Sequence, residues 1–299
     1  MKTKKVAAIV TGGASGIGFY AAQKLVGSGY HVVLGVRDVI KGAKAALQLK
    51  SASTDAEVDV LPLDLSDARS IREFAEAVAG RFEKVEILVH NAGIMAAAES
   101  RTSDGWDFEL ATNFIGPFLL TNLLLPFVDN ESGRIITITS DEYEKVKALD
   151  INMHNPLERK EKTDPMRWYG ITKLYVLMFA IELQKKLERS GSNIKSLTAH
   201  PGLAGTDLAA NIPSPTTRFL MKFGMKLMGQ SPKNGARSFV HAALSADVKG
   251  GQLWAPGGFG GLRGAPVSKT IFPLALDSDI TAEIWSAAEK VTNTPFTIN

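Results

Sequence analysis

The chain has 299 residues, 45% apolar and 22% charged, which is ample for one large buried core. Its 34 basic and 31 acidic residues leave a net charge of +3, and the Lys and Arg are scattered rather than striped, which argues against a nucleic-acid partner. Cysteine is absent and the five histidines have no ligand-like spacing, so disulfides, thiolate chemistry and a metal site are not expected.

At the N-terminus Lys2, Lys4 and Lys5 precede an apolar run. Val6–Val10 is too short for a signal-peptide core and passes directly into Thr11-Gly12-Gly13, so it reads as a first strand. Strands are predicted at Val6–Thr11, His31–Val36, Val58–Leu63, Ile87–Asn91, Arg134–Ser140, Asn193–His200 and Gln252–Ala255. Helices are predicted at Ile17–Ser28, Val39–Leu49, Ser66–Phe82, Asp104–Phe127, Arg167–Ser190, Pro232–Ala246 and Asp279–Val291, with Ser66, Asp104, Ser231 and Asp279 suited to N-caps. The alternation predicts an α/β fold: a Rossmann-type, doubly wound, seven-stranded parallel sheet in a three-layer α/β/α arrangement. No stretch reads as a linker, so residues 1–299 are expected to form a single domain. The apolar stretch Phe114–Val128 is interrupted by Gly116, Pro117, Asn122 and Pro126 and reads as too short to cross a bilayer. A soluble, cytoplasmic protein with no stable membrane anchor is expected.

Thr11-Gly12-Gly13-Ala14-Ser15-Gly16-Ile17-Gly18 joins the first strand to the first helix, where glycines allow a pyrophosphate close approach to the backbone and to the helix N-terminus. The second strand ends Leu34-Gly35-Val36-Arg37, with no acid at Val36 to hold ribose hydroxyls or repel a phosphate. Arg37 offers a charged planar fork for a 2′-phosphate, Ser15 a hydroxyl and Lys41 a second cation, so NADP(H) is the predicted cofactor. Tyr169 and Lys173 lie four residues apart on one helical face, a spacing that lets an ammonium stabilise a phenolate. Each feature has a plainer counterpart. Glycine turns often only reverse a chain, an isolated YxxxK pair is usually a solvated face, Asp64 could serve equally as a turn residue before Ser66, and Asn113 could sit on a helix surface.

Taken in order, the glycine turn, Asp64, Asn91-Ala92-Gly93, Asn113, Ser140, Tyr169-Gly170-Ile171-Thr172-Lys173 and Pro201-Gly202 resemble the short-chain dehydrogenase/reductase family over nearly the whole chain. Ala111–Phe118 and the ending around Gly258-Phe259 and Leu262-Arg263-Gly264 resemble its branch of retinol dehydrogenases, protochlorophyllide reductases and carbonyl reductases. The resemblance implies that Gly12, Ser15, Gly16, Ile17 and Gly18 border the pyrophosphate, that Asp64 binds the adenine with Leu65 beside it, and that Asn91, Ala92 and Gly93 adjoin the adenosine ribose. It makes Tyr169 the general acid/base, Lys173 its helper and a ribose ligand, and Ser140 the donor to the substrate oxygen. Asn113 would open its helix to hold a relay water, while Pro201, Gly202, Leu203 and Thr206 would contact the nicotinamide end.

The implied activity is hydride transfer between NADP(H) and a carbonyl or alcohol of a lipophilic small molecule. Alternatives are carbon–carbon double-bond reduction, or an NADP(H)-binding sensor or scaffold without turnover. Two segments depart from the family pattern. The insert at about 141–167, with the charged run Glu158–Lys162 read as a solvated loop, could wall the pocket or cover a dimerisation face, leaving monomer and homodimer both open. The apolar segment at about 203–231 reads as a substrate lid, with core packing and an interfacial helix as the other readings.

Overall fold

The structure, a computed structural model, describes residues 5–52, 55–98, 100–149, 155–203 and 229–298. Its strands are β1 (Lys5–Thr11), β2 (His31–Val36), β3 (Val58–Pro62), β4 (Phe82–His90), β5 (Arg134–Ile138), β6 (Lys195–Ala199), β7 (Leu253–Gly258) and β8 (Arg263–Lys269). They form one sheet in the order β3-β2-β1-β4-β5-β6-β7-β8. The pairings from β3 through to β7 are parallel, as expected, and β8 adds an eighth strand antiparallel to β7. The order reverses between β1 and β4, and such a switch point opens a crevice beyond the carboxyl ends of the strands.

Alternation along β1 divides the core. Ala7 and Ile9 face one apolar cluster, which also holds Phe74, Phe114, Phe118, Leu174 and Trp285; Ala8 and Val10 face the other, with Ala21, Leu25, Ala45 and Phe239. Helices α1 (Gly16–Gly27), α2 (Val39–Lys50), α7 (Pro232–Gly235) and α8 (Arg237–Leu244) lie on the second side. On the first lie α3 (Ala68–Arg81), α4 (Phe108–Leu110), α5 (Gly116–Leu124), α6 (Pro165–Arg189) and α9 (Ser278–Thr292).

Several boundaries differ from the sequence expectation for identifiable reasons. Asp67, not Ser66, caps α3 by accepting the Arg69 and Ser70 N–H groups, because the Ser66 hydroxyl is spent on Asp64 Oδ1 at 2.6 Å. Asp107, not Asp104, caps α4 through Leu110 N–H, while Asp104 accepts Ala68 N–H at the start of α3. Asp277, not Asp279, caps α9. Ser231 caps α7 as expected, but the helix foreseen over 232–246 breaks into α7 and α8.

The helix expected over 104–127 runs from Phe108 to Phe127 and is interrupted by a π-helical turn at Ala111–Ile115. By length and composition this stretch, which begins six residues before the segment 114–128, is long and apolar enough to cross a membrane, and 78% of its most apolar window is buried inside the fold. Just past the π turn, a Cβ on Gly116 would lie 2.2 Å from the Leu65 carbonyl oxygen, so only glycine lets this helix reach the turn after β3.

Gly116→Ala is therefore expected to destabilise the protein by about 1–3 kcal/mol through overpacking. Gly80→Ala, in α3 with no atom within 4 Å of the added methyl, should instead stabilise it by about 0.5–1 kcal/mol. Urea unfolding of both variants checks the contrast, and a neutral Gly116→Ala would remove the close-approach account.

Candidate active site

A cleft of about 980 Å³ opens at the carboxyl ends of the strands. At one end its floor is the turn between β1 and α1. Ser15 occupies the N-cap position of α1 but its side chain makes no capping bond, and the first turn of the helix carries no acid, so N–H groups and a hydroxyl are open to an anion. Asn91, at the end of β4, holds this turn in place: its Nδ2 donates to the Thr11 carbonyl at 2.9 Å and the Gly12 carbonyl at 3.3 Å, while Ala92 N–H donates to Thr11 Oγ1. A Cβ on Gly18 would lie 2.3 Å from that same Asn91 nitrogen. Asn91 thus shapes the turn from beneath.

Gly35, Val36 and Arg37 border the same end of the cleft. Val36 is buried and Arg37 exposed, while the neighbouring Asp38 carboxylate is engaged in capping α2 through Lys41 N–H at 2.9 Å. Asp64 and Leu65 line the cleft beside them, and Asp64 Oδ1 also takes two hydrogen bonds from Ser66, so the turn role read for Asp64 is present as well.

The other end gathers Ser140, Tyr169 and Lys173 with Gly93, Ile94, Met95, Pro201, Gly202 and Leu203. Tyr169 and Lys173 share a face of α6, the ammonium 5.7 Å from the phenol ring centroid. Lys173 Nζ donates to the Ile138 carbonyl at 2.9 Å. Ser140, just past β5, shares a hydrogen bond with Tyr169. Close packing fixes this alignment: a Cβ on Gly170 would sit 2.8 Å from the Glu142 carbonyl, so α6 rests directly on the short helical turn Asp141–Lys145 that follows Ser140.

Burial raises the Tyr169 pKa, the Ser140 hydrogen bond opposes the rise, and the negative charges of Glu109, Glu142 and Asp141 add to it. Burial brings Lys173 down to about 8, with Glu109 opposing. Without a ligand, the phenol is a weak acid beside an ammonium that gives up its proton unusually readily.

Asn113 lies in the π turn with its side chain fully engaged. Oδ1 accepts Ile94 N–H at 2.9 Å, and Nδ2 donates to the Ile94 carbonyl and to Thr172 Oγ1, both at 3.0 Å. It is buried rather than on a helix surface, and it ties the cleft wall to α6. Leu203 N–H donates to the Leu262 carbonyl at 3.1 Å. Thr206, and residues 204–228 of the expected lid, lie outside the described residues.

Several contributors were not read from the sequence as site residues. Leu262, in the turn between β7 and β8, lines the cleft, and its carbonyl would meet a Cβ on Gly202 at 2.4 Å. His200, buried at the end of β6, accepts Gly202 N–H on Nδ1 at 2.9 Å. Arg159, inside the charged run read as a solvated loop, is 7% exposed and lies over the Trp168 ring. Buried Glu109 accepts the Ala96 and Ala97 N–H groups.

An anion-ready helix terminus, a surface for a nucleotide and a phenol–ammonium pair at the far end define a nicotinamide-dependent oxidoreductase site. The sequence model of the family described as short chain dehydrogenase matches residues 6–149. Retinol dehydrogenase 13 of Mus musculus is 32% identical over 289 residues, covering 95% of this chain and 82% of its own length. A solved structure of a putative uncharacterized protein from Mycobacterium Paratuberculosis is 32% identical with a TM-score of 0.78, covering 99% of this chain and 96% of that one. L-sorbose reductase from Gluconobacter frateurii, complexed with NADPH and L-sorbose, shares the fold at 24% identity and a TM-score of 0.63, covering 84% of this chain and 94% of that one. The chain belongs to the short-chain dehydrogenase/reductase family, in its retinol dehydrogenase-like branch.

The depressed Lys173 pKa has a sign that can be tested. The folded state holds its ammonium less tightly than the unfolded chain, so Lys173 destabilises the fold below about pH 8, and the penalty fades as pH rises toward the ordinary lysine value. Lys173→Met should raise unfolding free energy at pH 7 by about 1–2 kcal/mol, the relieved desolvation less the lost bond to Ile138, with the gain shrinking above pH 8. Chemical denaturation of parent and variant at pH 7 and pH 9.5 measures it.

Proposed function

We propose that this oxidoreductase transfers a hydride between NADP(H) and the carbonyl or alcohol of a lipophilic small molecule, with Tyr169 as general acid/base. The observation that carries the reading is the convergence of Ser140, Tyr169 and Lys173 at one end of a cleft whose other end is the glycine turn. The nicotinamide supplies or accepts the hydride when bound.

The chain's own residues do the rest. Gly12, Ser15, Gly16, Ile17 and Gly18 hold the diphosphate against the α1 N-terminus, Asp64 and Leu65 the adenine, and Asn91, Ala92 and Gly93 the adjoining ribose. Pro201, Gly202 and Leu203 border the nicotinamide end. Ser140 donates a hydrogen bond to the substrate oxygen, and Tyr169 gives that oxygen a proton on reduction or takes one on oxidation. Lys173 favours the phenolate and holds a ribose hydroxyl. The π turn at Ala111–Ile115, which carries Asn113, would hold the water that returns the proton to solvent. Ile94, Met95, Met166 and Leu203 around the reacting end favour an apolar substrate, in keeping with similarity to retinol dehydrogenases.

The preference for NADP(H) over NAD(H) rests on Arg37, which borders the cleft with no acid at Val36 and with the Asp38 carboxylate drawn into the α2 cap.

Tyr169→Phe is expected to lower kcat by about 10²–10⁴-fold while leaving NADPH affinity nearly unchanged. A panel of aldehydes and ketones followed by NADPH oxidation, with NADPH fluorescence titration alongside, measures both, and retained turnover would remove Tyr169 from the chemistry. Arg37→Asp should shift the kcat/KM ratio of NADPH to NADH toward NADH by on the order of tenfold or more, the loss of a charge-assisted phosphate contact. Equal use of both cofactors by the parent would sink the preference.

A further inference from the structure

Glu109 is a carboxylate in the apolar interior, 1% exposed, on the helical stretch that also carries Asn113. Its two oxygens accept consecutive backbone N–H groups, Ala96 at 3.1 Å and Ala97 at 3.0 Å. Ala96 has φ +49°, left-handed backbone that an alanine holds only when its surroundings impose it. Asn113 grips Ile94 by both its N–H and its carbonyl. The wall of the cleft formed by Ile94 and Met95 is thereby pinned from both ends by one helical stretch.

The insert completes the arrangement. Arg159 Nη1 approaches the Ala97 carbonyl at 3.5 Å, Nη2 donates to the Thr163 carbonyl at 3.0 Å, and the guanidinium lies 5.9 Å from the Trp168 ring centroid. Trp168 Nε1 donates to Asp107 Oδ1 at 2.9 Å, immediately before Tyr169. A Cβ on Gly93 would lie 3.0 Å from Asn113 Oδ1 and 3.4 Å from Lys173 Nζ, so the pinned wall abuts the ammonium.

We propose that Glu109 is a positioning residue for the carbonyl-handling end of the cleft, its ionised carboxylate fixing the Ile94–Ala97 wall and acting as the buried counter-charge of Lys173. This rests on the reading of Tyr169 and Lys173 given above. Asp107 beside it and Arg159 from the insert act on Glu109, and the charge of Glu109 acts in turn on Tyr169 and Lys173 of α6. Burial brings the Glu109 carboxyl up to about 7; the Ala97 and Ala96 N–H groups pull it down, Asp107 pushes it up and Arg159 pulls it down. Protonation leaves one oxygen a poor acceptor for its N–H and removes the negative charge from Lys173. The wall loosens and the ammonium loses its counter-charge in the same step.

The test is the pH dependence of kcat/KM with NADPH and an aldehyde substrate from about pH 5.5 to 9.5, with NADPH affinity measured by fluorescence at each pH. The parent should lose activity as pH falls through about 7 with NADPH affinity unchanged. Glu109→Gln should abolish that acidic limb, raise KM for the aldehyde by on the order of tenfold, and move the alkaline limb to lower pH. Arg159→Met, which keeps the carboxylate, should move the acidic limb upward, and it serves if Glu109→Gln fails to fold.

A parent without an acidic limb, or a Glu109→Gln profile that keeps it, overturns the inference. So does a uniform loss of stability, NADPH affinity and activity in Glu109→Gln, because a purely structural role gives no change of profile. Full turnover in Tyr169→Phe would instead sink the reading of the site itself. Inactive Tyr169→Phe with parent-like Glu109→Gln sinks only the role of Glu109.

Discussion

Placing an ammonium in the interior beside β5 costs several kcal/mol unless something answers it, and Lys173 is answered at close range by the Ile138 carbonyl. That single bond requires α6 and the end of β5 to meet in one register. Thr139 Oγ1 fixes the register further by donating to the Lys173 carbonyl at 2.8 Å, and the rise of α6 then carries Tyr169 to Ser140. The remaining desolvation is offset only in part by the charge of Glu109. It stays as a depressed lysine pKa, which hydroxyl oxygens brought to this end of the cleft would raise, and a raised tyrosine pKa, which positive charge there would lower.

The insert ahead of α6 belongs to the same arrangement. Tyr143 and Val146 join the core next to α6, Tyr175 Oη donates to the Pro156 carbonyl at 2.7 Å, and Arg159 lies over Trp168. A segment with so many charged residues is thus packed along the helix that carries Tyr169. On the opposite flank α9 and the last described residues cover α5 and α6: Trp285 stacks on Phe179 at 5.7 Å, meets Phe118 at 5.0 Å and Phe296 at 5.2 Å, and Lys186 lies over Trp285. Aromatic packing of this density makes the α5–α6 pair a rigid support for the groups at its upper end.

Much of this was legible in the sequence where one physical signal dominated. β2 falls at His31–Val36, where a short β-branched run lies between a Gly-containing turn and a capping Asp38. The glycine turn, Asp64, Asn91–Gly93, Ser140 and Pro201-Gly202 converge because each follows a strand end, and strand ends meet at the switch point of a doubly wound sheet, while α6 brings Tyr169 and Lys173 to the same cleft. Legibility failed where tertiary contacts outweighed local pattern. β4 begins at Phe82 rather than Ile87 because its first half, with Glu83, Lys84 and Glu86, is partly open to solvent and shows no apolar run. β8 holds Gly264 and Pro266 and is mostly exposed; as an antiparallel edge strand it tolerates a proline that a central strand would not. The π turn at Ala111–Ile115 has no composition of its own and is foreseen only through the resemblance, which has Asn113 open its helix; the Asn113 side chain there holds Ile94.

Charge gave the most misleading local signal. Glu109 and Arg159 look like solvent-facing residues of a helix and a loop, yet both are buried and meet main-chain groups close in space: the Ala96 and Ala97 N–H groups for Glu109, and the Ala97 and Thr163 carbonyls for Arg159. Periodicity cannot disclose such partners, because they are backbone atoms of other segments that carry no sequence mark. Ion pairs between exposed side chains, such as Arg101 with Glu158, add little to stability. A carboxylate enclosed by two N–H donors on one side of a protein wall, with an ammonium on the other side of it, transmits its charge where solvent cannot screen it. The geometry behind Ile94 and Met95 therefore links the insert, the cleft wall and α6, so that end of the cleft and the charges of Tyr169 and Lys173 share the same buried neighbours.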